Sequence, residues 1–467
     1  MTVPAAGSAP VPAATALPDR PPFVLRARVL TPLAGGGTRY EADGAIEVDA
    51  AGRMAAVGPW SDRPAGDGPV AVDLRPLVVM PGMVDLHVHL PQLPNAGVGA
   101  GLDLLTWLDR YIFPLEREFD GPTAERVAPA AFRAMAAAGT TTALMYGAVF
   151  EPSLEAAFRA AEAHGIRAII GKVMMDRLTY DERLPADRIL ETSLRQSADL
   201  CARWHGRDDG RLQYAFTPRF AVSCSGDMLR ESASLARQTG AYWQTHLSED
   251  RDELREVARL FPDASDYLDV YDRAGGLGPR TVLAHAIHLS ARELARLAET
   301  DTALAHCPAS NLFLSSGAMP LARYRAAGVR IGLGSDVAAG PELSILANMR
   351  AGAYTQSGLR VLESKGSGES AGASPILGPL DWLRMGTYEG ARALGLEDRI
   401  GSLEVGKEAD LIAIDPRFVA PVAGIDSDDP DEIMSRLVFR PHPSMVRAAW
   451  VRGRRLEGPP GLAESAE

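Results

Sequence analysis

From Pro81 to about residue 400, short apolar runs alternate with longer Ala/Leu/Arg-rich stretches. The runs at 83–90, 140–148, 167–175, 212–220, 242–247, 281–287, 303–308 and 330–336 read as strand cores. Segments 123–138, 153–164, 185–204, 226–239, 290–299 and 342–353 between them read as helices. Consecutive strands joined by helices must run parallel, because the chain crosses back before each new strand. Eight such units predict an α/β fold, a closed (β/α)8 TIM-like barrel rather than an open sheet.

Residues flanking this region have a different pattern. Short β runs with Gly-rich breaks fill 22–80 and return at 401–458. Both chain ends are therefore expected to build one small β-sandwich domain beside a barrel spanning 81–400. Residues 1–21 are Ala/Pro-rich and read as a disordered tail, 459–467 as a C-terminal tail, and Ser364 to Ser374 as a mobile Ser/Gly loop.

Composition narrows the function. The formal net charge is -12, whereas a nucleic-acid surface is normally basic. No apolar run is long enough for a bilayer. The first residues lack the basic and apolar regions of a secretory signal. The expectation is a cytoplasmic enzyme acting on a small molecule, with neither nucleic acid nor membrane as partner. Three scattered cysteines make no disulfide framework, and no Cys-x-x-Cys occurs. That removes the deaminase type whose zinc sits on a Pro-Cys-x-x-Cys pair.

The first barrel strand ends in His87-Val88-His89. Residues i and i+2 of a strand point to one side, so both imidazoles can aim at one point. Later strands end in His246, His285 and Asp336. Barrel enzymes carry their chemistry at this C-terminal rim. Imidazoles with one carboxylate suit Zn2+ best and also admit Fe2+. Taken singly, each residue has a plainer reading: a hydrogen-bonded core histidine, or an aspartate capping the next helix. Their shared position favours one metal ion. Lys172, inside the third strand, reads as the partner of a buried acid rather than as a metal bridge.

Glu249 stands three residues past His246, where a carboxylate can carry protons between a water and a leaving group. The plainer reading is a helix-start acid, which Asp250, Asp252 and Glu253 fit better. The Gln92 amide can donate and accept at a heterocycle edge. Arg219 and Phe220 end the fourth strand, where they could meet a carbonyl oxygen and a flat ring. On residues alone, a surface arginine and a core phenylalanine are the simpler readings.

Several motifs together resemble the guanine deaminases of the amidohydrolase superfamily, from about residue 75 to 415. Pro81-Gly82-Met83-Val84-Asp85-Leu86-His87-Val88-His89, Ala305-His306-Cys307-Pro308-Ala309-Ser310-Asn311 and Gly406-Lys407-Glu408-Ala409-Asp410-Leu411 are shared across the superfamily. The narrower likeness lies in His89-Leu90-Pro91-Gln92, Gly101-Leu102-Asp103-Leu104-Leu105-Thr106-Trp107-Leu108, Phe113-Pro114-Leu115-Glu116, Pro218-Arg219-Phe220 and His246-Leu247-Ser248-Glu249. The resemblance implies one zinc ion on His87, His89, His246 and Asp336. It implies that Glu249, His285 and Asp336 act in catalysis, that Gln92, Arg219 and Phe220 hold a purine, and that the enzyme is a homodimer. An aminohydrolase for another heterocycle (8-oxoguanine, a pterin, a triazine or cytosine) is the alternative within the superfamily. A metal-free scaffold barrel is the alternative outside it.

Overall fold

The computed structural model describes residues 16–63, 71–180, 183–367, 376–422 and 426–462. Strands β1 (Phe23–Pro32), β2 (Thr38–Val48), β3 (Met54–Pro59) and β4 (Ala71–Pro81) precede the barrel. The barrel strands are β5 (Met83–His89), β6 (Thr140–Tyr146), β7 (Arg167–Gly171), β8 (Val173–Met174), β9 (Leu212–Pro218), β10 (Tyr242–Leu247), β11 (Thr281–His285), β12 (Ala303–His306) and β13 (Arg330–Leu333). β14 (Leu411–Ile414), β15 (Val446–Val451) and β16 (Arg454–Arg455) follow.

All eight expected staves are present; β7 and β8 are successive pieces of one, both reaching β9. Every ladder from β5 round to β13 is parallel. The seam between β13 and β5 is closed just past the strand ends. Asp336 N donates to His87 O at 2.7 Å and His89 N to Val337 O at 3.1 Å. Buried Asp85 stitches the same seam, accepting from Ser335 N at 2.9 Å, Ser335 Oγ at 2.5 Å and His87 N at 3.1 Å. The nearly closed barrel therefore holds first and last staves in a fixed register, which sets His87 against Asp336.

The chain ends build one separate sheet in the order β16-β15-β14-β4-β1-β2-β3. Its central strands alternate between two cores. Val79, Leu411, Ala413, Ala448 and Trp450 join a core private to the sheet. Val78, Met80, Ile412, Ile414 and Ala449 join the barrel's. This period of two is what locks a sheet onto a neighbour by one face. β4 passes into β5 through Gly82, where a Cβ would stand 2.0 Å from Thr141 Oγ1. Only a glycine lets the two bodies approach there.

Several expectations shift. Leu17 is buried in the sheet's own core and the Trp450 indole donates to Pro18 O at 2.9 Å, so residues 17 and 18 of the expected tail pack onto the sheet. Residues 1–15 and 463–467 lie outside the described residues. The helix expected at 342–353 runs from Ile345 to Ser367. The first four residues of the expected Ser/Gly loop are thus helical, and residues 368–374 lie outside the description. The last strands also stop short of their expected ends, for a reason found at the rim.

Candidate active site

Three strands end in backbone that L-residues seldom adopt. Ser248, His285 and Asp336 have φ of 48°, 67° and 48°. Left-handed backbone costs about 1–3 kcal/mol at a non-glycine residue and is concentrated at functional sites. Here it terminates β11 at His285 and turns the chain after β13 inward. That is why the apolar runs at 281–287 and 330–336 outlast their strands. Sequence alone gave no glycine or asparagine to mark these turns.

The rim side chains converge. His89 Nε2 lies 3.2 Å from His87 Nε2 and 3.3 Å from His246 Nε2. Asp336 Oδ1 is 3.1 Å from His87 Nε2 and 3.3 Å from His89 Nε2. Two donors bound ~2.0–2.1 Å from one ion at the tetrahedral angle stand about 3.3 Å apart. The measured separations match, and His87, His89 and Asp336 form a group able to hold a metal. The His246 tautomer agrees as well. The His246 Nδ1 proton goes to Arg219 O at 2.6 Å, which leaves a lone pair on Nε2 facing its neighbours. Burial pushes all three ring pKa values down, that of His89 to about 4. The rings are therefore neutral, as metal ligation requires.

Asp336 does not cap a helix with its side chain. Its Oδ2 accepts from Ser310 Oγ at 2.5 Å. Burial favours the protonated acid, but the His87 and His89 contacts outweigh it and hold Asp336 well below the usual carboxylate range. Glu249 goes the other way. Burial, then the charges of Asp336, Glu253 and Asp250, push it well above the ordinary value. Its Oε2 lies 3.4 Å from His285 Nε2. The helix-start duty expected of its neighbours falls to Asp250 and Glu253, which form a capping box on Arg251–Leu260. Glu253 also accepts from Glu249 N at 2.8 Å and from the Tyr267 hydroxyl at 2.7 Å, fixing the loop that carries Glu249.

His285 Nδ1 stands 2.9 Å from Asn311 Oδ1, with Nε2 turned to Glu249 and, at 3.8 Å, to Asp336 Oδ2. Ser310 and Asn311 close the motif that begins at Ala305, and no local pattern singles either of them out. His306 in the same motif is fully buried with neither ring nitrogen partnered. Lys172 donates to Ser193 at 3.0 Å and does not line the pocket.

A cavity of about 370 Å³, counted with its open mouth, lies above these groups. Gln92, Arg219 and Phe220 line it along with Trp107, Leu108 and Leu314. Gln92, Arg219 and Phe220 are 2%, 2% and 4% exposed. The surface reading of Arg219 is thus overturned: its guanidinium is buried against Glu116. Trp107 is fixed by an indole bond to Val98 O at 3.0 Å, and a Cβ on Gly99 (φ +98°) would meet its ring at 2.6 Å.

A parallel barrel with converging imidazole and carboxylate donors at its C-terminal rim defines the metal-dependent hydrolase class. The chain belongs to the amidohydrolase family, whose family model matches residues 78–456. It is 37% identical over 367 residues to the guanine deaminase of Escherichia coli strain K12, covering 78% of this chain and 79% of that protein. It is 36% identical over 420 residues to a probable guanine deaminase of Deinococcus radiodurans, covering 88% and 92%. A crystal structure of the C. acetobutylicum guanine deaminase with guanine in its active site superposes with a TM-score of 0.84 at 27% identity, covering 93% of this chain and 99% of that one.

Proposed function

We propose that this protein hydrolyses guanine to xanthine and ammonia. The observation that carries the reading is the junction of two sets of side chains. Buried Gln92 and Arg219, with the Phe220 ring, line the same small cavity as His89, His246, Glu249, His285 and Asp336. The relatives named guanine deaminase, similar over most of the chain, favour guanine over other heterocycles.

His87, His89, His246 and Asp336 would hold one ion, Zn2+ by its preference for nitrogen-rich tetrahedral sites, with Fe2+ as the alternative. A bound divalent ion supplies Lewis-acid activation, lowering a water's pKa from ~15.7 toward ~7. Asp336, held ionised, would accept a proton from the attacking water. Glu249, held protonated by burial, gives its proton to the ring nitrogen beside C2, which makes C2 accept the oxygen. His285, its ring held through Nδ1 by Asn311 Oδ1, turns Nε2 toward Glu249 and Asp336 and orients the incoming hydroxyl between them. The deprotonated Glu249 then takes the remaining hydroxyl proton from C2–OH and passes it to the exocyclic amine, the C2–N bond breaks as C2=O forms, ammonia leaves, and the proton held by Asp336 returns to Glu249. Arg219 donates to the 6-oxo group, Gln92 meets the heterocycle edge, and Phe220 packs on the ring face.

No described helix is long and apolar enough to cross a membrane. A homodimer in the cytoplasm is part of this proposal and rests on the family resemblance. The decisive assay is ammonia release by zinc-loaded protein from guanine, adenine, cytosine, a pterin and 8-oxoguanine. Guanine is expected to exceed the others in kcat/KM by at least about 100-fold, the margin given by buried polar groups left unpaired by a wrong ring. A preference for any other substrate would move the protein to another branch of the family. A chelator should abolish release, and one equivalent of zinc should restore it.

A further inference from the structure

Gln92 follows β5 and Arg219 follows β9, yet one side chain holds both. Glu116 is 0% exposed and sits in the short helix Phe113–Arg117. Its Oε1 accepts from Gln92 Nε2 at 2.7 Å, and its Oε2 accepts from Arg219 Nη1. We infer that Glu116 is a positioning residue that sets the hydrogen-bond polarity of the purine subsite. The inference rests on the purine reading above and goes beyond it.

A carboxylate only accepts hydrogen bonds. A glutamine amide can face either way at little cost, but only its NH2 end can bond Glu116. Gln92 Oε1 must then point the other way, and it accepts from Ala338 N at 3.3 Å. One amide hydrogen and one carbonyl lone pair are left over at a defined place, a donor and an acceptor side by side. That is the pattern a purine edge carries in complement. Arg219 is fixed by the same anion and by its main chain. Its N donates to Met174 O at 3.1 Å, and the Phe113 ring lies 5.2 Å from the guanidinium carbon. Its carbonyl accepts from His246 Nδ1 at 2.6 Å. Residue 219 thereby touches both the metal group and the purine subsite. Glu116 holds its side-chain end to Gln92.

A carboxylate serving only to neutralise a buried arginine would change stability without changing which ligand is preferred. A polarity-setting one changes preference. Calorimetric titration of the zinc-loaded full chain with hypoxanthine, which carries the 6-oxo group, and with purine, which lacks it, separates the two. In Glu116→Gln the amide can pair with Gln92 in either orientation. Affinity for hypoxanthine is expected to fall at least about tenfold while that for purine stays within about threefold, since only the oxo edge loses a fixed donor.

Glu116→Asp keeps the negative charge beside Arg219, and so remains foldable if the glutamine variant is not. It shortens the reach to both partners and should show the same selective loss. Equal losses for both ligands, or no loss in either folded variant, would overturn the role of Glu116 and leave the deaminase reading intact. A wild-type protein that binds neither ligand and releases no ammonia from guanine would remove both.

Discussion

Glu249→Gln is expected to yield a folded protein that loads metal as the parent does and turns over guanine about 10²–10⁴-fold more slowly, the usual contribution of a positioned acid–base group. The substitution keeps the side chain's shape and removes only its proton chemistry. Glu249 is suited to that chemistry by its surroundings. Burial and three neighbouring carboxylates favour its protonated form, and Glu253 clamps its backbone N–H at 2.8 Å. Asp336, on the other side of His285, is held ionised. Two carboxyl groups with acidities driven apart are the usual means by which one site both takes and gives a proton near neutral pH. Steady-state xanthine formation with metal content measured on the same sample checks this. Wild-type turnover in a fully loaded Glu249→Gln protein would remove Glu249 from the reaction.

The second large effect lies at the opposite end of the barrel. Arg167, the first residue of β7, is fully buried and donates to Asp410 Oδ2 at 2.9 Å and to Glu408. Glu408 also accepts from Arg399 Nε at 2.9 Å and Arg452 Nε at 2.9 Å. The cluster joins the barrel floor to the chain-end sheet and gives the Gly406–Leu411 motif a structural duty. Removing one partner leaves buried charge uncompensated, so Glu408→Gln should cost about 3–5 kcal/mol in urea unfolding.

The pH dependence has a definite sign. Burial pushes the Glu408 carboxyl upward, but Arg167, then Arg399 and Arg452, outweigh it and bring it down to about 2. A group depressed on folding stabilises the protein above its unfolded value and stops doing so as pH falls through its folded one. The contribution should be full above ~4.3, the unperturbed glutamate value, and should disappear as pH falls toward 2. Burial pushes Asp410 upward, which offsets part of the loss. Glu408 sets the net sign because it faces three guanidinium groups. Unfolding of the parent at pH 7, 4 and 3 should show this decline, and Glu408→Gln should flatten it.

Much of this architecture is legible in the sequence because it is periodic. Eight apolar runs separated by helical stretches specify parallel staves, and His87-Val88-His89 fixes two imidazoles on one face by spacing alone. Glu116 is different. It stands 24 residues from Gln92 and 103 from Arg219, and no local pattern links a helix acid to a residue on a distant strand. The turns at His285 and Asp336 were also hidden, because the strained backbone there falls on residues that do not announce it. Asn311 and Ser310 were visible only as letters of a motif. Their contacts to His285 and Asp336 depend on the barrel bringing the rim loop after β12 beside those that follow β11 and β13. Leu17 was lost in an Ala/Pro-rich tail, since one apolar residue gives no periodic signal.

His87, His89, His246 and Asp336 are expected to hold one ion beside a guanine subsite. The most direct test is a titration of metal-stripped protein with zinc, read as the rate of xanthine formation from guanine. The rate should be negligible at first, rise in proportion to added zinc, and break to a plateau at one equivalent per chain. Full turnover without metal, or a break at two equivalents, would contradict the account.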